Sequence, residues 1–190
     1  MDETLALLPL LESEDSEQLL KDEKMNNRVL HINAETSRKK AVIEINRRFN
    51  TMPRTFWTDF KSMNEGDRTV ALFLVMLKTY KILFDFHINV TLRKWNSISR
   101  SVQLDDLMME FNEIAAKDEF VDSWSDTTKR KVASCYLTIL RKIKMLGDEG
   151  KLSPISCSNF DYYLTHHEAW FLSACLLQPY EIENIKKSLL

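Results

Sequence analysis

Hydrophobic residues recur along most of the chain at the three- and four-residue spacing of an amphipathic α-helix. The clearest series lies within 36–53, where the apolar side chains at 42, 45, 49 and 52 share one helical face. Thr36 or Ser37 can cap this helix at its start, and Pro53 ends it. The pattern therefore predicts a helix that buries one stripe and exposes the opposite one.

The next part of the chain predicts a short helix followed by a long central one. Pro53 suits the first turn of the short helix, Gly66 closes it, and Asp67 can cap the next helix. That next helix is predicted over Arg68–Trp95, with a bend near His87–Asn89. Its first half is apolar nearly all round, which indicates a position at the centre of the fold.

A polar, capping-rich segment, Asn96–Ser101, is the best candidate for a boundary between two helical lobes, residues 1–97 and 98–190, which can also pack as a single domain. Ser101 then begins an amphipathic helix, and Ser125 caps a long helix that ends at Gly147. A last helical region follows, broken by Pro179. The predicted fold is all-α and compact, with room for one short β-hairpin around residues 151–155.

Composition supports long helices. The 190 residues include only 3 glycines and 4 prolines, whereas β-rich folds need many turns built from these residues. The most apolar stretch, Val70–Leu77, is too short to cross a bilayer, which needs about 20 residues. A cytoplasmic protein that does not enter the membrane is expected. The three cysteines lack metal or disulfide spacing and are predicted to be buried thiols.

Sequence motifs for catalysis are missing. The chain has no glycine-rich phosphate loop, no dinucleotide fingerprint and no H-E-x-x-H zinc motif. His166 and His167 are adjacent, so on a helix they point about 100° apart and make poor joint ligands. The carboxylate pairs Asp105–Asp106 and Asp118–Glu119 lie near predicted helix starts, where they offset the helix dipole. No catalytic residue, metal or cofactor is predicted, although scattered acids leave a nuclease open as a third alternative.

Basic residues are concentrated in two segments. Thr36–Arg54 has six cations against one acid, and Thr128–Met145 has six cations and no acid, whereas residues 1–24 have eight acids and two lysines. Several cations fall at helix starts, where the helix dipole disfavours positive charge. Contact with nucleic-acid phosphates is one explanation; an acidic partner protein or the acidic N-terminal segment is the other. The candidate nucleic-acid-binding residues are Arg38, Lys39, Lys40, Arg47, Arg48, Arg54, Arg93, Lys94, Lys129, Arg130 and Lys131.

Several motifs resemble those of the BrxA family. The most specific is W-S-D-T-T-K-R-K-V-A-S at Trp124–Ser134, followed by L-R-K-I-K-M-L at Leu140–Leu146 and G-K-L at Gly150–Leu152. Upstream, T-S-R-K-K, R-R-F and M-P within Thr36–Pro53 are similar to a second block of that family. L-F-D-F at Leu83–Phe86 is similar to a third. The resemblance covers roughly residues 15–165.

The resemblance implies a small helical component of a bacteriophage-exclusion (BREX) defence system, with a fold similar to the RNA-binding antitermination factor NusB. It implies partners in that system: a methyltransferase, an ATPase and a phosphatase-like protein. It also suggests DNA binding without catalysis, with duplex DNA favoured and RNA as an alternative ligand. A protein-interaction adaptor that does not touch nucleic acid is the competing function.

Overall fold

The computed structural model describes residues 2–189, and these residues are helical except for turns and two isolated antiparallel bridges, Ser101–Lys151 and Leu146–Leu152. The all-α prediction is thereby confirmed. Both bridges involve the start of the segment 151–155, around which a short β-hairpin was predicted. The chain divides into two compact units, one ending at Thr79 and the other beginning at Tyr80.

The first unit contains five helices: α1 (Asp2–Glu12), α2 (Ser16–Asn26), α3 (Glu35–Phe49), α4 (Arg54–Ser62) and α5 (Glu65–Thr79). α1 packs against α2, α3 and α4, and α5 packs against α3 and α4. Trp57 is fully buried among Phe49, Phe56 and Phe60, and its ring N–H donates a hydrogen bond to the Phe49 carbonyl at 3.0 Å. The stripe predicted for α3 thus faces this core.

The second unit begins with α6 (Lys81–Asp85), a π-helix (Phe86–Thr91) and α7 (Leu92–Trp95) in one continuous run. Then follow α8 (Leu104–Ala115), α9 (Glu119–Asp122) and α10 (Asp126–Lys142), a 3₁₀ turn at Asp148–Gly150, α11 (Phe160–Thr165), α12 (Trp170–Ala174) and α13 (Pro179–Lys187). α8 packs against α9, α10 and the π-helix. Ser125 caps α10 as predicted, since its hydroxyl accepts from the Thr128 N–H at 3.2 Å.

The single long helix predicted for Arg68–Trp95 is wrong. Tyr80 has an extended backbone (φ −118°, ψ 100°), which breaks the helical hydrogen bonds between α5 and α6. Gly66 and Asp67 lie in the first turn of α5, which Asn64 caps by accepting from the Asp67 N–H at 2.9 Å. Along the chain, the second unit therefore begins at Tyr80. Asn96–Ser101 lies inside the second unit and joins α7 to α8.

The bend predicted near His87–Asn89 coincides with the π-helix. A π-helical turn holds one more residue than an α-turn and changes which side chains share a face. His87 and Thr91, four residues apart, both point into the core here. Two polar side chains of the π-helix therefore lie among apolar ones.

Two features are absent from the described residues: a membrane-spanning helix and a cluster of metal ligands. No helix within 2–189 combines the length and apolar character that crossing a bilayer requires. In the same range, no three histidine, cysteine or acidic side chains converge closely enough to hold a metal ion. The prediction of three buried thiols is wrong in part: Cys175 is buried, but Cys157 is half-buried and Cys135 lies exposed on α10.

Candidate nucleic-acid interface

Arg38 was predicted to contact nucleic acid, but its side chain is only 6% exposed. Its guanidinium donates to the carbonyls of Lys24 (3.1 Å), Met25 (3.3 Å) and Ile32 (2.7 Å), at the end of α2 and in the following loop. The Lys24 and Met25 carbonyls belong to the last turn of α2, the negative end of its dipole, which a cation stabilises. Arg38 therefore joins α2 to α3 and is not part of the exposed surface.

Glu23 completes the same connection from the other side. This buried carboxylate accepts from three consecutive backbone N–H groups, those of Arg28, Val29 and Leu30, each at 2.9 Å. The loop between α2 and α3 thus has its N–H groups held by Glu23 and its carbonyls held by Arg38. Such a loop fixes the angle at which α3 begins.

Lys129 on α10 resembles Arg38. It is 8% exposed, and its ammonium donates to the carbonyl of Asp122, the last residue of α9, at 3.4 Å. Both cations occupy the start of their own helix, where the dipole is unfavourable, because each neutralises the end of the preceding helix. The positions of Arg38 and Lys129 at helix starts are therefore explained by contacts within the fold and do not indicate a ligand.

Three other predicted contact residues have intramolecular partners. Lys39 forms an ion pair with Glu35, four residues earlier on α3. Lys94 forms one with Asp106 at 2.6 Å, and the Arg48 guanidinium donates to the Glu44 carbonyl at 3.0 Å. The exposed Lys39–Glu35 pair contributes little to stability, so Lys39 can exchange Glu35 for a phosphate.

The remaining predicted cations are exposed. Lys40 and Arg47 lie on the outer face of α3, Arg54 begins α4, Arg93 lies on α7, and Arg130 and Lys131 lie in the first turns of α10. Within residues 2–189, the side chains of Lys40, Arg54, Arg93, Arg130 and Lys131 form no ion pair. These side chains are available to an external anion.

The outer face of α10 carries more charge than the sequence-based list. Arg141 and Lys142, in the last turn of α10 where the helix dipole favours cations, are exposed without an ion pair within the described residues. Lys131, Thr138 and Lys142 follow one another at spacings of seven and four residues and so share one side of the helix. Between Asp126 and Asp148 the sequence contains no acid. The helical period alone predicts that basic residues at the two ends of α10 lie on one side of the helix.

The acids considered for a nuclease site cap helices instead. Asp106 accepts from the Gln103 N–H at 2.9 Å, which caps α8. Asp118 accepts from the Phe120 N–H at 3.0 Å and the Val121 N–H at 3.2 Å, which caps α9. The role expected from the helix dipole is the one that these two side chains have.

A groove of about 280 Å³ in the second unit has the wrong charge for phosphate. Asp85, Glu110, Glu113 and Asp118 line it together with two lysines and Asn89. The Asn89 amide donates to Glu110 at 2.7 Å, so the polar groups of the groove bind one another. An anionic ligand would meet more negative than positive charge there.

His87, Thr91 and Tyr136 form a buried polar cluster in the second unit. The Tyr136 hydroxyl lies 2.8 Å from His87 Nδ1 and 2.7 Å from the Thr91 hydroxyl, and His87 Nε2 donates to the Ala174 carbonyl at 2.8 Å. Burial lowers the pKa of His87 to about 4, although the Ala174 contact opposes this, and burial raises the pKa of Tyr136. The neutral cluster ties the π-helix to α10 and to the end of α12.

The described geometry defines an all-helical protein of two units, each with a basic helix exposed on one side. The chain belongs to the BrxA family, whose family model matches residues 1–165. Membership implies a component of a BREX defence system, in a family that is generally non-catalytic. No curated protein sequence matches the chain.

A crystal structure of an uncharacterized protein from Magnetospirillum magneticum has a similar fold. Its TM-score is 0.74 at 18% sequence identity, over 92% of this chain and 90% of that one. At this identity the likeness concerns the fold alone.

Proposed function

We propose that this protein is a non-enzymatic BREX component that binds duplex DNA through phosphate contacts from its basic helices. The observation that supports the proposal best is the outer face of α10. Arg130, Lys131, Arg141 and Lys142 are exposed there, and no acid interrupts the helix between its first residue and Asp148. The four cations form two pairs about 17 Å apart along the helix, at 1.5 Å per residue, and each pair can contact phosphates of a duplex.

Phosphate contacts would make binding strong at low salt and insensitive to sequence. Each neutralised phosphate releases condensed counterions, so affinity falls as salt rises. RNA has the same backbone phosphates and is the alternative ligand. The family resemblance supports a NusB-like arrangement and contacts with the methyltransferase, ATPase and phosphatase-like proteins, and the short apolar stretch supports a cytoplasmic location.

An adaptor function is the second candidate, favoured by one observation. Phe120 on α9 is 72% exposed and contacts the Trp124 ring edge-on, which leaves aromatic surface facing solvent. Exposed aromatic side chains of this kind are enriched in protein–protein interfaces. Replacing Phe120 with Ala would weaken an adaptor contact and leave duplex binding intact.

Replacing Arg141 and Lys142 with alanine tests the α10 face. If both contact phosphates, the slope of log affinity against log salt becomes shallower by about 1.8, or 0.9 for each contact. If they only offset the α10 dipole, stability falls by about 0.3–1 kcal/mol for each and the slope stays the same. The measurement is a gel-shift titration with duplex DNA, single-stranded DNA and RNA, with Lys187→Ala as a matched exposed control. An unchanged slope in the folded variant would remove the end of α10 from the interface.

Replacing Lys40 and Arg47 with alanine tests α3. Both residues are exposed on the side opposite to the buried stripe, so the free energy of unfolding should change by less than about 0.5 kcal/mol. The salt slope should flatten by roughly 1.8, equally for two unrelated duplexes. Equal slopes in variant and wild type would exclude α3, and no binding by wild type at low salt would favour the adaptor.

A further inference from the structure

Phe120 is a large apolar side chain on the surface of the second unit. It lies on the short helix α9 and is 72% exposed, although its ring packs edge-on against Trp124 with 5.7 Å between the ring centroids. Trp124 is half-buried and in turn contacts Phe111, which is fully buried in the core. Phe120 is therefore supported from the core, and a ligand would meet an aromatic ring that is already held in place.

A groove borders Phe120 directly. Asp118 caps α9 by accepting from the Phe120 N–H at 3.0 Å and the Val121 N–H at 3.2 Å, and the same Asp118 lines the groove of about 280 Å³. Ile114 of α8 contributes an apolar side chain to this groove. The exposed ring and the groove thus form one continuous surface, which we call the α8–α9 surface.

The charge around Phe120 is strongly negative. Residues 105–126 include eight acids and a single lysine, Lys117. Glu113, Glu119 and Asp122 are exposed and form no ion pair within residues 2–189. A surface of this charge repels nucleic-acid phosphates and attracts lysine and arginine side chains. The occupant that fits the charge is a basic polypeptide.

The apolar and the acidic parts of the α8–α9 surface favour the same kind of partner. Aromatic residues are enriched in protein–protein interfaces, where an aromatic anchor within a polar rim contributes much of the binding energy. An amphipathic segment that has lysine or arginine beside an apolar side chain would cover Phe120 and bring its cations to Glu113 and Glu119. Acids alone attract any cation, whereas Phe120 requires an apolar side chain next to the cations.

We propose that the α8–α9 surface is a docking site for a partner protein, which contributes a basic amphipathic segment. An apolar side chain of that segment covers Phe120, and its lysine or arginine side chains bind the acids of the groove and its rim. The inference rests on the adaptor function given above as the second candidate and names the chemistry of the adaptor's partner. Duplex binding by the basic helices does not depend on it.

Binding of a defined peptide to the full chain tests the docking site. The probe is a fluorescent, amphipathic helical peptide of leucine and lysine, and two control peptides replace its lysines by glutamate or its leucines by alanine. Fluorescence anisotropy should detect binding of the leucine–lysine peptide alone. Phe120→Ala should weaken that binding about tenfold or more, which is the loss expected for a buried aromatic anchor.

Two pairs of charge variants distinguish this surface from net charge. Glu113→Gln with Glu119→Gln removes two acids near Phe120, whereas Glu14→Gln with Glu17→Gln removes two exposed acids of the first unit. Only the first pair should weaken peptide binding, and its effect should shrink as salt rises. Circular dichroism verifies that each variant is folded, and Phe120→Ala should keep the wild-type affinity for duplex DNA.

The possible outcomes separate this docking site from duplex binding. No binding of the leucine–lysine peptide, equal weakening by both glutamine pairs, or binding that Phe120→Ala leaves unchanged would each overturn the docking site. Self-association of wild type in analytical ultracentrifugation that Phe120→Ala abolishes would overturn it too, because the occupant would then be a second copy of the chain. Wild type without affinity for duplex DNA at low salt would reject duplex binding and leave the docking site standing.

Discussion

Replacing Arg38 with methionine is expected to lower the free energy of unfolding by about 3 kcal/mol. Methionine fills similar space but leaves the carbonyls of Lys24, Met25 and Ile32 without their donor. A hydrogen bond from a charged donor contributes about 1.5–3 kcal/mol, and an unsatisfied buried acceptor costs about 1–3 kcal/mol. Urea unfolding followed by circular dichroism measures the change.

Two further variants serve as comparisons for Arg38→Met. Arg38→Lys keeps the charge but not the planar fork that reaches several carbonyls, so its loss should be intermediate. Lys40→Met, on the exposed side of the same turn, should change the free energy of unfolding by less than about 0.5 kcal/mol. A loss below about 1 kcal/mol for Arg38→Met would contradict the role assigned to Arg38. A flatter salt slope in that folded variant would return Arg38 to the interface.

Arg38 also shows where reasoning from sequence reaches its limit. Burial of the 42, 45 and 49 face followed from spacing alone, because the helix period determines which side chains share a face. Arg38 occupies that same face, but the position of its long charged side chain depends on the carbonyls at the end of α2. The sequence of α3 does not reveal these carbonyls. The pattern therefore identified cations in unusual positions at helix starts. Two of them, Arg38 and Lys129, bind the end of the preceding helix and are not exposed to a ligand.

The break at Tyr80 is a second case. Residues 68–95 contain no proline or glycine, so nothing local signals an interruption. Two helical segments with their own apolar faces are more stable when each packs in its own unit, and tertiary packing then overrides helix propensity. The bend predicted near His87 falls on the π-helix. The sequence pattern does not reveal the partners of His87, which are the Tyr136 hydroxyl and the Ala174 carbonyl.

For the candidate site, the sequence identified the basic helices but not their geometry. Lys40, Arg130 and Lys131 are exposed as phosphate contacts require. Arg141 and Lys142 lie where the helix dipole favours cations, so their position in the sequence does not distinguish that role from a ligand contact. Burial in the folded protein distinguishes the cations that attach a helix, Arg38 and Lys129, from those that face solvent, such as Lys40 and Lys131.

Acidification is expected to destabilise the second unit through His87. Its pKa of about 4 in the folded protein lies below the ordinary value of 6.5, because burial disfavours the charged form. The unfolded chain therefore binds a proton as pH falls through about 6.5, while the folded chain stays neutral until about 4. The stability contribution is complete above pH 6.5 and is lost between those values, by about 3 kcal/mol in all.

A variant that cannot titrate isolates this effect. His87→Gln keeps one acceptor and one donor on the side chain, so it should be less sensitive to pH between about 6.5 and 4.5 than wild type. The comparison uses urea unfolding at several pH values, since carboxylates and the exposed histidines contribute equally to both proteins. Parallel curves would show that His87 gains a proton in the folded protein as readily as in the unfolded chain. In that case burial would not hold the imidazole neutral, and the cluster with Tyr136 would not fix the π-helix against α10.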